Sequence, residues 1–282
     1  MSVYLCISVD CECDKGPGWR TQKPLSFAGV SSGIRDRLQP LFVRRRAKAT
    51  YLLSTEVMRD PSSVETLRTL EGDAEFGTHL HGEFAEPGSF EPDVTVALQR
   101  DYSRDTEFEK LRSLTQLFRE TFAHSPRSFR AGRFGIGRNS LELLESLGYS
   151  VDTSVTPHVD WSRSGAQGLS FRTAPTQPYW PLPSAPETVG PRSSLLEVPV
   201  TIRPSILSRI PVIGRLVEPR WLRPTRASVD ELIRTASEEI DEARSVNPRR
   251  PVVLNTMFHN VEVIPNASPY ARNDDEAAGI LG

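Results

Sequence analysis

Ser2-Val3-Tyr4-Leu5-Cys6-Ile7-Ser8-Val9-Asp10-Cys11-Glu12-Cys13-Asp14 is the stretch on which the fold turns. An apolar run begins almost at the first residue and ends in three acids spaced two apart. Alternate residues of an extended segment share a face. Asp10, Glu12 and Asp14 therefore point the same way if the strand persists, while Cys11 and Cys13 face the packed side. Three co-facial carboxylates repel one another; they are tolerated on a wet surface or where a cation neutralises them. The loop that follows, residues 15–32, is rich in Gly, Ser and Pro and carries Trp19 and Phe27. In parallel α/β folds such loops at strand C-termini carry the chemistry.

Outward from this strand the chain alternates. Ser32 is a candidate cap for a helix through Ile34, Leu38, Leu41 and Phe42, which have helical spacing. Strands are expected at Ala47 to Leu53 and Glu75 to His81, with a short helix from Ser62 to Leu70 between them. A long amphipathic helix is expected from about Val94 to Phe122, then a strand-like segment at Phe129-Arg130. Ser140 to Leu147 reads as a helix ending at the C-cap Gly148, and Tyr149 to Val151 as a strand. Residues 155–194 are dense in Pro, Ser and Gly and contain Trp161 and Tyr179-Trp180, which reads as a functional lid or insertion. Leu195 to Val200 is a strand, and residues 204–227 are irregular and basic. Ser228 to Val246 is a helix with a Ser228/Glu231 capping box, and Pro251 to Met257 is the last strand. Strand–helix alternation of this kind implies a mostly parallel sheet, closed or open, and a length of 282 residues suits one large domain or two small ones.

Composition narrows the function. The chain has 282 residues with 34 Lys+Arg against 36 Asp+Glu. Such a balance produces no long-range field for nucleic acid or an anionic membrane. No stretch reaches the length of a membrane span. No apolar leader precedes the first strand, so a cytoplasmic protein is expected. Cys6, Cys11 and Cys13 are crowded into eight residues, which suits reduced thiols.

In a barrel of parallel strands the strand C-termini share one rim. Asp10 and Glu12, His79 and His81, Arg130, and His259 all fall at such ends. His79-Leu80-His81 places two imidazoles on one face of an extended segment, close enough to hold one cation. If the segment instead turns helical, His79 and Glu83 become the i, i+4 pair. Ser8-Val9-Asp10-Cys11-Glu12, Glu75-Phe76-Gly77-Thr78-His79, Ser128-Phe129-Arg130-Ala131-Gly132 and Leu254-Asn255-Thr256-Met257-Phe258-His259 follow one another at spacings that resemble the polysaccharide deacetylase family (carbohydrate esterase family 4, NodB-homology type), in a divergent branch.

The resemblance implies that residues 1–282 form a single catalytic domain of α/β fold, a distorted (β/α)7 barrel, here with the long insertion 155–194 and the irregular basic segment 204–227. It implies a divalent metal, most often zinc, and hydrolysis of acetyl groups from a sugar or glycan precursor, in surface polysaccharide metabolism. Position by position, it makes Asp10 the general base, Arg130 its orienting partner and His259 the general acid, with Asp152 the acid that orients His259. Glu12 and His79 become metal ligands. The family's second histidine lies four residues after the first, where this chain has Glu83, so the third ligand is His81, with Glu83 as the alternative. Trp161, Tyr179 and Trp180 are candidates for a sugar platform or, equally, for the core of the insertion. Asp14 is left over, solvated or lining the substrate mouth. Two other readings stay open: an amidohydrolase of the same fold acting on a non-sugar C–N bond, and a glycan-binding module with a degenerate site.

Overall fold

The computed structural model describes residues 2–21, 23–88, 97–164, 166–205 and 218–281. Its frame is one sheet of seven parallel strands. They are β1 (Val3–Cys11), β2 (Ala49–Leu53), β3 (Glu75–Leu80), β4 (Ser128–Ala131), β5 (Val151–Asp152), β6 (Leu196–Glu197) and β7 (Val252–His259). The order is β7-β1-β2-β3-β4-β5-β6, so the first strand pairs with the second on one side and with the last, which folds back beside it, on the other. The sheet curls into a half-barrel with helices around it: the parallel sheet that the alternation implied, in the (β/α) barrel form that the resemblance implied.

Side chains span the gap between β6 and β7. Gln177, from the 155–194 insertion, accepts from Val253 N–H at 2.9 Å and donates to Val253 C=O at 3.1 Å, as a neighbouring strand would. Thr201 N–H adds a bond to Asn255 C=O at 2.9 Å. The insertion also contains an antiparallel hairpin (Pro181–Leu182 with Ala185–Val189). It serves as the wall of the barrel, rather than as a free-standing lid, wherever these contacts reach.

Seven helices surround the sheet: α1 (Gln39–Arg45), α2 (Thr55–Arg59), α3 (Pro61–Arg68), α4 (Arg104–Phe122), α5 (Ser140–Ser146), α6 (Val229–Val246) and α7 (Asp274–Leu281), counted among the described residues. Val9, Cys11, Tyr51, Leu53, Leu114, Phe118 and Phe129 belong to one continuous core. Val9 and Cys11 thus face the packed layer, and Ser8, Asp10 and Glu12 the inside of the curl. The three cysteines are free thiols, Cys6 exposed and Cys11 and Cys13 buried.

Two helix starts lie well away from expectation. The helix before β2 begins at Gly29, wide-turned over Gly29–Leu38 and running on into α1. Its start is set by Asp14, whose carboxylate accepts from Ala28 N–H and Gly29 N–H, each at 2.9 Å, and from Ser26 Oγ at 2.6 Å. Asp14 is therefore a cap, as suits an acid at a helix N-terminus, and it has left the face of Asp10 and Glu12. The helix expected from Val94 begins at Arg104, because Ser103 caps it by accepting from Thr106 N–H at 3.2 Å; residues 94–96 lie outside the described residues. α6 matches its capping box, with Ser228 and Glu231 bonded reciprocally. Among the described residues no helix is long and apolar enough to cross a membrane.

Candidate active site

Register brings the site together. In the parallel ladder Asp10 lies opposite His259, and His79 opposite Arg130. Four strand ends therefore deliver four side chains to one rim without any loop having to reach inward. Glu12 lies just past the end of β1, where the ladder has stopped. The Asn260 side chain takes over as its partner, accepting from Glu12 N–H at 2.9 Å and donating to Glu12 C=O at 3.0 Å. This keeps Glu12 extended, so that its carboxylate shares the inner face with Asp10.

The Glu12 carboxylate meets both histidines of the His-Leu-His segment. Glu12 Oε1 lies 2.9 Å from His81 Nε2 and 3.2 Å from His79 Nε2, and the two nitrogens are 3.1 Å apart. One donor atom from each of these three buried residues lies within 4.8 Å of the others. Two imidazole nitrogens and one carboxylate oxygen form a donor set that suits zinc, and three protein donors leave a position for a reactant. The set fits a divalent cation.

Contacts behind the donors fix their orientation. His79 Nδ1 lies 3.0 Å from the Arg130 carbonyl, which can only accept, so Nδ1 carries the proton and Nε2 faces Glu12. His81 Nδ1 lies 3.4 Å from Glu83 Oε1, and Glu83 is held in turn by Arg133 at 2.6 Å. Glu83 therefore stands behind His81 instead of joining the three donors. Gly132 leaves room for this arrangement: a Cβ there would come within 2.5 Å of the Leu80 carbonyl and 3.2 Å of the His81 ring.

The charges are mutually dependent. Burial alone would raise the Glu12 pKa, but His81 and Lys15 hold it well below the usual carboxylate range. Burial alone would lower the His81 pKa, but Glu12 and Glu83 push it up to about 9. A cation entering here would displace that proton. His81→Ala should abolish stoichiometric metal uptake, whereas Glu83→Gln, which disturbs only the orientation of His81, should weaken it by about 10–100-fold. Metal content after dialysis separates the two, and retention of metal by His81→Ala would overturn this ligand set.

Asp10 sits beside the cluster with its two oxygens divided. Oδ1 accepts from Arg130 Nη1 at 2.6 Å, and Oδ2 lies 3.9 Å from both His79 Nε2 and His259 Nε2. Burial pushes its pKa upward, and Arg130, His79 and His259 together bring it below the ordinary value. Asp10 is therefore ionised at neutral pH.

His259 has its acid partner three residues away in sequence. Glu262 Oε1 lies 2.6 Å from His259 Nδ1 and accepts from His259 N–H at 3.1 Å. Arg223 and Thr225 donate to the same buried carboxylate. Burial would raise the Glu262 pKa, but Arg223 and His259 bring it down to about 2. The His259 ring presents Nε2 to the site, 3.6 Å from Glu12 Oε1. Trp19 lies edge-on against that ring at 5.0 Å and against Tyr270 at 5.7 Å. Arg223 comes from the basic 204–227 segment; Arg215 of that segment lies outside the described residues.

Asp152 has a different partner from the one expected. It lies opposite Glu197 in the ladder, fully buried, bonded to Ser154 Oγ at 2.6 Å and to the Glu197 carboxyl. The carboxylate that touches His259 is Glu262. Burial, and for Glu197 also the charge of Asp152, raises both pKa values, Glu197 well above its ordinary value. Two adjacent buried carboxyls share a proton because both cannot ionise. A raised folded-state pKa gives stability that is complete below the unfolded pKa and lost as pH rises through the folded one. Glu197→Gln, which keeps a donor toward Asp152, should therefore gain stability over the parent as pH rises above about 4.5. Each tenfold preference for the protonated form is worth about 1.4 kcal/mol. Denaturation midpoints at pH 5 and pH 8 check this, and a difference independent of pH would contradict the shared proton.

Of the aromatic candidates, Trp161 is half-buried and stacks on Phe134 at 5.6 Å, with Trp221 at 6.3 Å. Phe134 in turn lies 5.8 Å from the Arg130 guanidinium. Tyr179 is buried and donates to the Pro186 carbonyl at 2.5 Å. Trp180 lies under Arg192.

No protein-family model and no curated protein matches the chain. Solved structures do. A Mycobacterium smegmatis protein described as a polysaccharide deacetylase aligns over 99% of this chain and 82% of its own, with a TM-score of 0.53 and 15% identity. The PuuE allantoinase aligns over the same shares, with a TM-score of 0.55 and 13% identity. The chain thus has the (β/α) barrel fold shared by polysaccharide deacetylases and allantoinase, the fold that its motifs resembled.

Proposed function

We propose that the chain is a divergent polysaccharide deacetylase, a metal-dependent hydrolase that removes acetyl groups from a sugar or glycan precursor. What supports this most is that Glu12, His79 and His81 converge beside two oriented proton-transfer groups, Asp10 with Arg130 and His259 with Glu262. Glu12, His79 and His81 would hold the ion, zinc by their chemistry. A divalent cation held there would polarise an acyl carbonyl and acidify water.

The chain's own groups do the remaining work. Asp10, ionised and fixed by Arg130, accepts a proton from the attacking water through Oδ2. His259, oriented by Glu262 so that Nε2 faces the cluster, supplies a proton to the departing sugar nitrogen or oxygen. Water and the acetyl group leave as acetate. Trp19, exposed beside His259 and Tyr270, and half-buried Trp161, packed on Phe134 and Trp221, would offer rings on which a sugar can stack.

Acetate release from a panel of N- and O-acetylated sugars tests this reading, with a cyclic amide assayed in parallel. Turnover of the acetylated sugars is expected. Turnover of the cyclic amide alone would favour a non-sugar C–N hydrolase on the same fold. No turnover of either, by protein that carries metal, would favour a glycan-binding module.

A further inference from the structure

Lys15 is a buried cation that none of the proposed steps uses. It lies three residues after Glu12 and is 6% exposed. Its Nζ is 2.9 Å from Glu12 Oε2, 3.0 Å from Thr21 Oγ1 and 3.8 Å from Cys13 Sγ. The Phe84 ring lies under it at 5.8 Å. The backbone fixes its position: Lys15 N–H donates to the Ala267 carbonyl at 2.9 Å, and the Lys15 carbonyl accepts from Arg20 N–H at 2.8 Å. Thr21 and Cys13 hold the ammonium on the side of Glu12 away from the histidines.

The Glu12 carboxylate is therefore divided. Oε1 meets His79 and His81, and Oε2 is taken by the ammonium. A carboxylate with both oxygens free can chelate a cation through two atoms; one whose second oxygen is held by a charge-assisted bond gives only one. We propose that Lys15 is a positioning residue that restricts Glu12 to a single oxygen toward the metal, keeping a coordination position open for the reactants. This inference rests on the metal site proposed above. It also gives a reason for glutamate at this position, because the longer side chain reaches His81 and Lys15 with opposite oxygens.

The test is Co2+ substitution of the full chain, read by visible absorption, which weakens as the coordination number of the ion rises. Protein with Lys15 intact should bind one Co2+ with the intensity of a four- or five-coordinate ion. In Lys15→Met, and in Lys15→Gln should the Met variant not fold, Glu12 is released to chelate. The absorption per bound Co2+ should then fall at least about twofold, and Co2+ affinity should rise as the nearby positive charge is removed. Lys15→Arg, which keeps charge and donors, should retain the parent spectrum. A merely structural lysine would leave the intensity per bound ion unchanged in both neutral variants, and that result would overturn the inference whatever the affinities do. Failure of the parent protein to bind Co2+ would overturn the metal reading itself, and this inference with it.

Discussion

Asp10→Asn is expected to lower kcat by about 10²–10⁴-fold, the range for loss of a positioned general base, with metal content unchanged. The substitution keeps the shape and removes the acceptor. Asp10 is 2% exposed, and its Oδ1 is already committed to Arg130. Oδ2 faces the rim, 3.9 Å from His79 and His259. Asp10 lies outside the three-donor group of Glu12, His79 and His81, so the ion should stay when the base is lost. Rate and metal content measured on the same preparation separate the outcomes. Loss of the metal with the activity would make Asp10 a ligand, and retained activity would place the base elsewhere.

Arg130→Met should destabilise the fold by about 3–5 kcal/mol, the cost of leaving one partner of a buried ion pair uncompensated. Arg130 is completely buried. Its guanidinium donates to Asp10 at 2.6 Å, Ser8 Oγ at 2.7 Å, and the Thr153 carbonyl and hydroxyl at 2.9 and 3.1 Å. Asn255 extends the network, donating to Thr153 Oγ1 at 2.8 Å and accepting from Ser8 Oγ at 3.0 Å. One side chain on β4 thus links β1, the segment after β5, and β7 across the interior of the curl. A lysine could not reproduce the fork. Asp10→Asn with Arg130→Met should recover part of the loss, because the two residues are coupled. Denaturant unfolding of both single variants and the double variant measures this. A loss under about 1 kcal/mol for Arg130→Met would mean that the pair contributes no more than a surface bridge.

Much of the site was legible because parallel strands end on one rim. An acid, a histidine or an arginine at the end of an apolar run is visible without any knowledge of tertiary contacts. Asp10, His79, Arg130 and His259 were found in this way, and the ladder register then set them side by side. Asp152 came from the resemblance alone, and it is committed elsewhere. It too ends a strand, but the register pairs it with Glu197, and no periodicity reveals which of two neighbouring acids a side chain meets.

The residues that escaped notice lie off the strands. Glu262 had a signal: an acid three residues after a strand-end histidine can fold back onto it, as it does in bonding both His259 N–H and Nδ1. Asn260 and Lys15 carried no comparable signal, because their contacts with Glu12 depend on how two loops meet. Arg223 reads as part of a solvated basic run until its carboxylate partner is known. Asp14 was misplaced because strand alternation was extended past Cys11, where the ladder ends and the acid turns to cap the following helix.

The central claim is that a cation held by Glu12, His79 and His81 is needed for acetyl hydrolysis carried out by Asp10 and His259. The most direct measurement is acetate release by chelator-stripped protein as zinc is added back. The expected result is no release from the stripped protein, and release that rises with zinc and levels off at one equivalent. Release unaffected by chelation, or protein that takes up no zinc, would contradict it.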